Sequence, residues 1–338
     1  MTVAGATAGA MGAASASPFP SVAMASPLAR FRRTILATCC VPWHEDGSLA
    51  EEVFRRSVWL LAGRGLRDLY VFGTAGEGYA VTDSQFDAVV RAFADEARGA
   101  GVTPMVGVIS LSLPTIIERI ARAAGQGVRE FQVSLPSWGT LNAAELQTFF
   151  REVCGRFPEL HFLHYNLPRA GRILTPGEYA RLVETHPNLV ATKFGGADLR
   201  LIAEFLAKVP QLRHFYTELG FLHGSLIGEP GLLASGSVID PQRARAFFDA
   251  GVARDTERLL ALYDEIAAIR ELMLVASEPE LHIDGARDKL YSKLLDPQFP
   301  LRLLPPYQAP SDAAFERFRA SMRERFPHWL ADAARSGA

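Results

Sequence analysis

Apolar positions along this chain follow two alternating rhythms. Short runs of five to eight residues, rich in branched and aromatic side chains, are "TILATCCV" (34–41), "DLYVFG" (68–73), "PMVGVI" (104–109), "EFQVSL" (130–135), "HFLHY" (161–165), "NLVATK" (188–193), "RHFYT" (213–217) and "GLLAS" (231–235). Each reads as a buried strand. Between them lie longer stretches with apolar residues near i, i+3 and i+4, such as 48–65 and 175–186, several opening on a Ser, Thr or Asp cap. Units of this kind at a spacing of about 25–35 residues predict parallel strands joined by right-handed crossovers, and eight of them close into a barrel. The predicted fold class is therefore α/β, a (β/α)8 TIM barrel. An open doubly wound sheet is the alternative, but no GxGxxG follows the first strand.

The strand rhythm occupies 31–252, and from 253 to 338 only helical patterns remain, at 255–275, 284–295 and 312–326. These predict a C-terminal helical appendage. The stretch "FPLRLLPPYQAP" (299–310) between the last two is too proline-rich to be helix. Residues 1–30, rich in Ala, Ser and Gly, predict a disordered extension in which Met24 is an alternative start.

Composition narrows the partners. The chain has 338 residues, 49% of them hydrophobic, with Lys+Arg 35 against Asp+Glu 37 and a formal charge of −2. With no basic run, nothing marks a nucleic-acid or membrane surface, and no apolar stretch reaches the roughly 18 residues of a spanning helix. Cys39, Cys40 and Cys154, an odd number without CxxC spacing, read as reduced core thiols of a cytoplasmic protein.

A barrel carries its chemistry at the carboxyl ends of its strands. There the sequence places Gly73-Thr74-Ala75-Gly76-Glu77, Trp138, Tyr165, Lys193 and Ser235-Gly236-Ser237. A lysine ending a buried strand loses hydration, so its pKa falls from about 10.4 toward neutrality. A neutral amine condenses with a 2-oxo acid to an imine, and the protonated imine withdraws electrons from the neighbouring carbon. Tyr165, ending the preceding strand, suits proton transfer. The turn at Thr74 offers free amides and a hydroxyl to a carboxylate.

"GTAGEG" (73–78) with Gln85, "YNLP" (165–168) and Lys193, 28 residues after Tyr165, resemble the dihydrodipicolinate synthase / N-acetylneuraminate lyase superfamily of class I aldolases over roughly 34–325. The resemblance implies a Schiff-base lysine at Lys193, a proton-relay tyrosine at Tyr165, and carboxylate binding by Thr74 and the amides of Ala75 and Gly76. It also implies pyruvate or a pyruvate-derived 2-oxo acid as substrate, no metal or other cofactor, and a homotetramer built from dimers.

Departures from the family pattern shape the expected substrate. Ala75 replaces a common second hydroxyl, Trp138 stands where those synthases place a subunit-crossing tyrosine, and Arg169 comes one residue early. They argue against dihydrodipicolinate synthase itself. Trp138 and Phe194 are candidate walls of an apolar or aromatic pocket, Arg169 is a candidate substrate contact, and Leu233 and Ser235 border the 2-oxo acid. Two rivals remain: a catalytically silent 2-oxo-acid-binding homologue, and a metal-dependent lyase using "WHEDG" (43–47), a stretch that reads more simply as a polar turn. His161 and His164, three apart on a strand, face opposite sides and cannot share a metal.

Overall fold

The computed structural model describes residue 1, residues 29–196 and residues 198–330. The expected N-terminal extension, with Met24, lies outside the described residues apart from its two ends. Eight strands form a closed, wholly parallel barrel in sequence order. They are β1 (Ile35–Thr38), β2 (Asp68–Val71), β3 (Thr103–Gly107), β4 (Glu130–Val133), β5 (His161–Tyr165), β6 (Leu189–Phe194), β7 (Arg213–Tyr216) and β8 (Gly231–Ala234). β8 returns to β1 through the register Leu36↔Leu233 and closes the barrel. The helices α1 (Glu51–Gly63), α2 (Asp83–Gly99), α3 (Leu113–Gly125), α4 (Ala143–Arg156), α5 (Pro176–Thr185), α6 (Leu199–Lys208), α7 (Glu218–Ile227) and α8 (Pro241–Ala253) follow the strands in turn.

Every predicted strand is present, most of them shorter than their apolar runs. Cys39, Cys40 and Val41 remain buried beyond the end of β1 because the following turn is itself packed. Burial pushes the Cys40 and Cys154 thiols up to about 12, so neither is a ready thiolate. Caps fix most helix starts: Thr82 and Thr175 make capping boxes with Gln85 and Glu178. Among the barrel helices α1 and α7 start without a side-chain cap; at α1, Ser48 is instead engaged by Asp46 in the preceding turn.

Side-chain alternation fills the barrel. At the amino-terminal end, Arg32 bridges the buried carboxylates of Asp68 and Glu130, reaching Glu130 at 2.6 Å. Above it Leu36, Met105, Leu163, Ala191 and Phe215 form an apolar layer. At the carboxyl end the interior turns polar, with Tyr70, Gln132, Tyr165 and Lys193.

After the barrel come α9 (Thr256–Ala276), α10 (Asp284–Leu295) and α11 (Asp312–Arg325), the predicted appendage, with the proline-rich connection non-helical as expected. A buried ion pair fastens it. Lys289 of α10 meets Glu77 at 2.6 Å with both side chains fully buried. Glu77 also accepts from Trp43 Nε1 at 2.9 Å and from the Leu304 amide at 2.7 Å. The glutamate of the "GTAGEG" turn thus joins the first barrel loop, α10 and the proline connection.

Candidate active site

Strand geometry places Lys193 and Tyr165 side by side. They are direct register partners on β5 and β6, so both project inward at the same height. Lys193 is 3% exposed. Its Nζ donates to Tyr70 Oη at 2.9 Å and Gln132 Oε1 at 3.3 Å, and lies 3.9 Å from the centre of the Tyr165 ring. Burial lowers its pKa to about 7, against a smaller upward pull from Asp288 and Asp284. Near neutrality about half of such an amine is unprotonated, where an ordinary lysine has well under about one part in a thousand. The Tyr165 phenol is raised by burial and eased by a hydrogen bond with Thr74, so it stays protonated and able to donate.

The glycine turn is shaped by close approach. A Cβ on Gly73 would lie 2.6 Å from Tyr70 Cε2 and 3.3 Å from Lys193 Nζ, so only glycine leaves room for the lysine and its phenol partner. Phe72 and Glu77 flank the turn with φ of 64° and 59°, a left-handed backbone that costs energy in non-glycine residues. Within the turn the amides of Glu77 and Gly78 return to Thr74 and Gly73. Those of Ala75 and Gly76 take no part in these bonds. Asn166, after Tyr165, bonds in both directions with the Leu174 backbone and fixes the exit of β5.

A cavity of about 500 Å³ opens above Lys193. Thr74, Ala75, Tyr165, Leu233 and Ser235 line it, as the sequence suggests, and Thr38 and Tyr70 join them. Its far wall belongs to the C-terminal helices, with Ile266 and Arg270 from α9 and Asp284, Asp288 and Tyr291 from α10. Ser235 Oγ donates to Asp288 Oδ1 at 2.9 Å, and the Ser235 amide donates to Glu218 Oε1 at 3.0 Å.

Other predicted residues are placed elsewhere. Trp138 is 91% exposed on the loop after β4 and is not among the residues lining the cavity, so it is not the pocket wall expected of it. Phe194 is also absent from the lining: as the residue after Lys193 it points outward and packs with Ile202, Phe205 and Tyr216. Arg169 stands outside the lining, paired with Asp284 at 2.9 Å with both side chains about half exposed. Gly76 does not line the cavity either; a Cβ there would meet Phe72 N at 2.5 Å, which explains the glycine by packing.

"WHEDG" forms a turn with exposed His44, Glu45 and Asp46, closed by the bridge Trp43↔Leu49. His164 is buried against Tyr179, while His161 at the start of β5 is exposed. Among the described residues no group of three or more His, Cys, Asp or Glu side chains is gathered for a metal.

The family model for the dihydrodipicolinate synthetase family matches residues 31–283. The chain belongs to that family. It is thereby a class I aldolase-type lyase. A 4-hydroxy-tetrahydrodipicolinate synthase from Exiguobacterium sp. is 28% identical over 245 residues, covering 70% of this chain and 82% of its own. Among solved structures, YagE, a prophage protein from E. coli K12 described in complex with pyruvate, superposes with a TM-score of 0.79 at 18% identity, covering 86% of this chain and 98% of its own. CdNal from Clostridium difficile, in complex with mannosamine, superposes at 0.77 with 17% identity, covering 87% and 99%. These two support the fold. The expectation that the chain is not a dihydrodipicolinate synthase is not borne out, since its sequence relatives carry that enzyme's name.

Tyr70, Gln132 and Asp288 were not singled out by the sequence. Tyr70 was within reach: two residues after the inward Asp68, alternation places it inward too. Asp288 was not, because nothing in a helical pattern says that α10 faces the barrel mouth.

Proposed function

We propose that this chain is a Schiff-base-forming lyase that acts on pyruvate or a pyruvate-derived 2-oxo acid through Lys193. The observation that carries this reading is the buried Lys193 amine, held near pKa 7 at the carboxyl end of the barrel and opening on a cavity. The lone pair of Nζ attacks the 2-oxo carbon; Tyr165, with Thr74 behind it, shuttles one Nζ proton to the former carbonyl oxygen, and a second proton drawn from solvent lets that oxygen leave as water, giving the iminium. The Thr74 hydroxyl and the Ala75 amide, both at the cavity, receive the substrate carboxylate. The resulting iminium draws electrons from C3, which serves bond cleavage, bond formation or dehydration at that carbon.

Small-molecule turnover in the cytoplasm suits the reading, with three buried free thiols and, among the described residues, no helix long and apolar enough to cross a membrane. A homotetramer built from dimers gives the exposed Trp138 and Leu111 a role as surfaces covered by a neighbouring subunit. The experiment is reductive trapping: the protein is incubated with pyruvate and borohydride, and peptide mass spectrometry locates the added mass. An adduct on Lys193, absent from Lys193→Ala, is the expected result. An adduct elsewhere, or none with any short 2-oxo acid, refutes the mechanism.

A further inference from the structure

Two opposite charges line the cavity without a direct ionic partner. Among the described residues, Lys193 makes its close polar contacts with neutral groups, Tyr70 Oη and Gln132 Oε1. Asp288 forms no salt bridge among the described residues; Ser235 Oγ holds its Oδ1 at 2.9 Å, and its side chain keeps part of its surface open to the same cavity. The neighbouring carboxylate of α10, Asp284, is already paired with Arg169. Charges drawn out of water need a counter-charge; these two share one cavity, and of the two α10 carboxylates Asp288 exerts the larger pull on Lys193.

Resting on the reading of Lys193 as an imine-forming amine, we propose that Asp288, clamped by Ser235, is a positioning residue that serves as counter-ion first to Lys193 and then to the iminium formed on its nitrogen. The charge at Nζ is the same before and after condensation: the ammonium carries one positive charge, and the iminium, formed with loss of water, carries one as well. Asp288 therefore exchanges no atom and no proton in the step. It balances the ammonium before a proton is released for attack and the iminium once water has left; the attacking amine between them is neutral. Burial drives the two groups toward neutral forms from opposite sides, to about 7 for each, and their mutual attraction opposes this.

Other ionisable groups facing the pair do not replace it. Tyr70 and Tyr165 are pushed up by burial and stay neutral. Tyr291 is raised in the same way, and Cys40, near Asp288, is a neutral thiol. Glu218 is a carboxylate, but its Oε1 is taken by the Ser235 amide and by Ser237. Lys289 is spent on Glu77. From the helical wall, Tyr263, Arg270, Glu271 and Arg287 line the cavity; Glu271 is well exposed and paired with Arg270 at 3.8 Å, and the two arginines bring charge of the wrong sign to balance an iminium.

The test is the pH profile of pyruvate trapping with cyanoborohydride, which reduces only the iminium, for wild type, Asp288→Asn, Asp288→Glu and Ser235→Ala. The acid limb reports loss of the free amine and the alkaline limb loss of the iminium proton. Without the anion both cations are weaker, so both limbs of Asp288→Asn move to lower pH by about one unit. Asp288→Glu restores the wild-type profile, and Ser235→Ala shifts it in the same direction by less. An Asp288→Asn profile that coincides with wild type overturns the proposal; if that variant does not fold, an unshifted Ser235→Ala profile does the same. A wild-type protein with no adduct at any pH refutes the imine reading instead, so the two failures are distinct.

Discussion

Replacing Lys289 by Met tests how the C-terminal helices are fastened to the barrel. The lysine meets Glu77 at 2.6 Å with neither side chain exposed, and also donates to the Arg302 carbonyl. Removing one partner of a buried pair strands the other charge, at about 3–5 kcal/mol. Glu77 keeps its bonds from Trp43 and Leu304, which places Lys289→Met near the lower end, about 3 kcal/mol. Glu77→Gln leaves the ammonium stranded instead and costs about as much. The double variant removes both charges, so its cost falls short of the sum by about 2 kcal/mol or more. Urea denaturation at neutral pH, followed by tryptophan fluorescence, measures all three against wild type, with a constant m-value showing that only stability has changed. A Lys289→Met loss under about 1 kcal/mol, or single costs that simply add, refutes the view of this pair as a coupled fastening.

Two further outcomes follow from the site. Gly73→Ala forces a methyl into the space between Tyr70 and Lys193 and is expected to cut the rate of pyruvate trapping by about tenfold or more while leaving the circular dichroism spectrum unchanged. A rate within about twofold of wild type contradicts the steric account. Lys193→Met should stabilise the protein at neutral pH. Because the folded-state pKa is about 7, below that of the unfolded chain, the unfolded state binds the extra proton between them, so wild-type stability rises with pH across that window. Melting temperatures of the variant and wild type should accordingly differ most near pH 7 and converge toward about pH 10; a gap that does not change with pH counts against a buried, deprotonated lysine.

The barrel was legible in the sequence because its strands are covered on both faces and so appear as bare apolar runs at even spacing. The lysine and tyrosine were legible for a related reason, as polar residues ending such runs. Phe194 was misread although the means to read it were present. The alternation that separates His161 from His164 also separates Phe194 from Lys193 and sends it to the helices. Trp138 was misread because a loop carries no period, and a large aromatic beside a strand end looks alike whether it lines a pocket or faces solvent. The carboxylates of α10 were out of reach for a different reason. They come to the site by long-range docking of a helix about 90 residues beyond Lys193, which local periodicity does not encode.

That docking bears on how the site is built. The barrel surrounds Lys193 with phenols, an amide and apolar side chains, which favour the neutral amine and so the nucleophile. The iminium of the proposed mechanism is a cation, and those same surroundings disfavour it. The two demands conflict within one shell of barrel residues. They are reconciled if the charge that balances the cation comes from outside the barrel, on a helix whose position is fixed independently. α10 meets that condition: Lys289 anchors it to Glu77, and one residue earlier Asp288 faces the cavity. Glu77 also ends the turn that carries Thr74 and Ala75, so one buried ion pair sets the position of the turn proposed to bind the carboxylate and of the proposed counter-ion together. Loosening it should disturb catalysis through both.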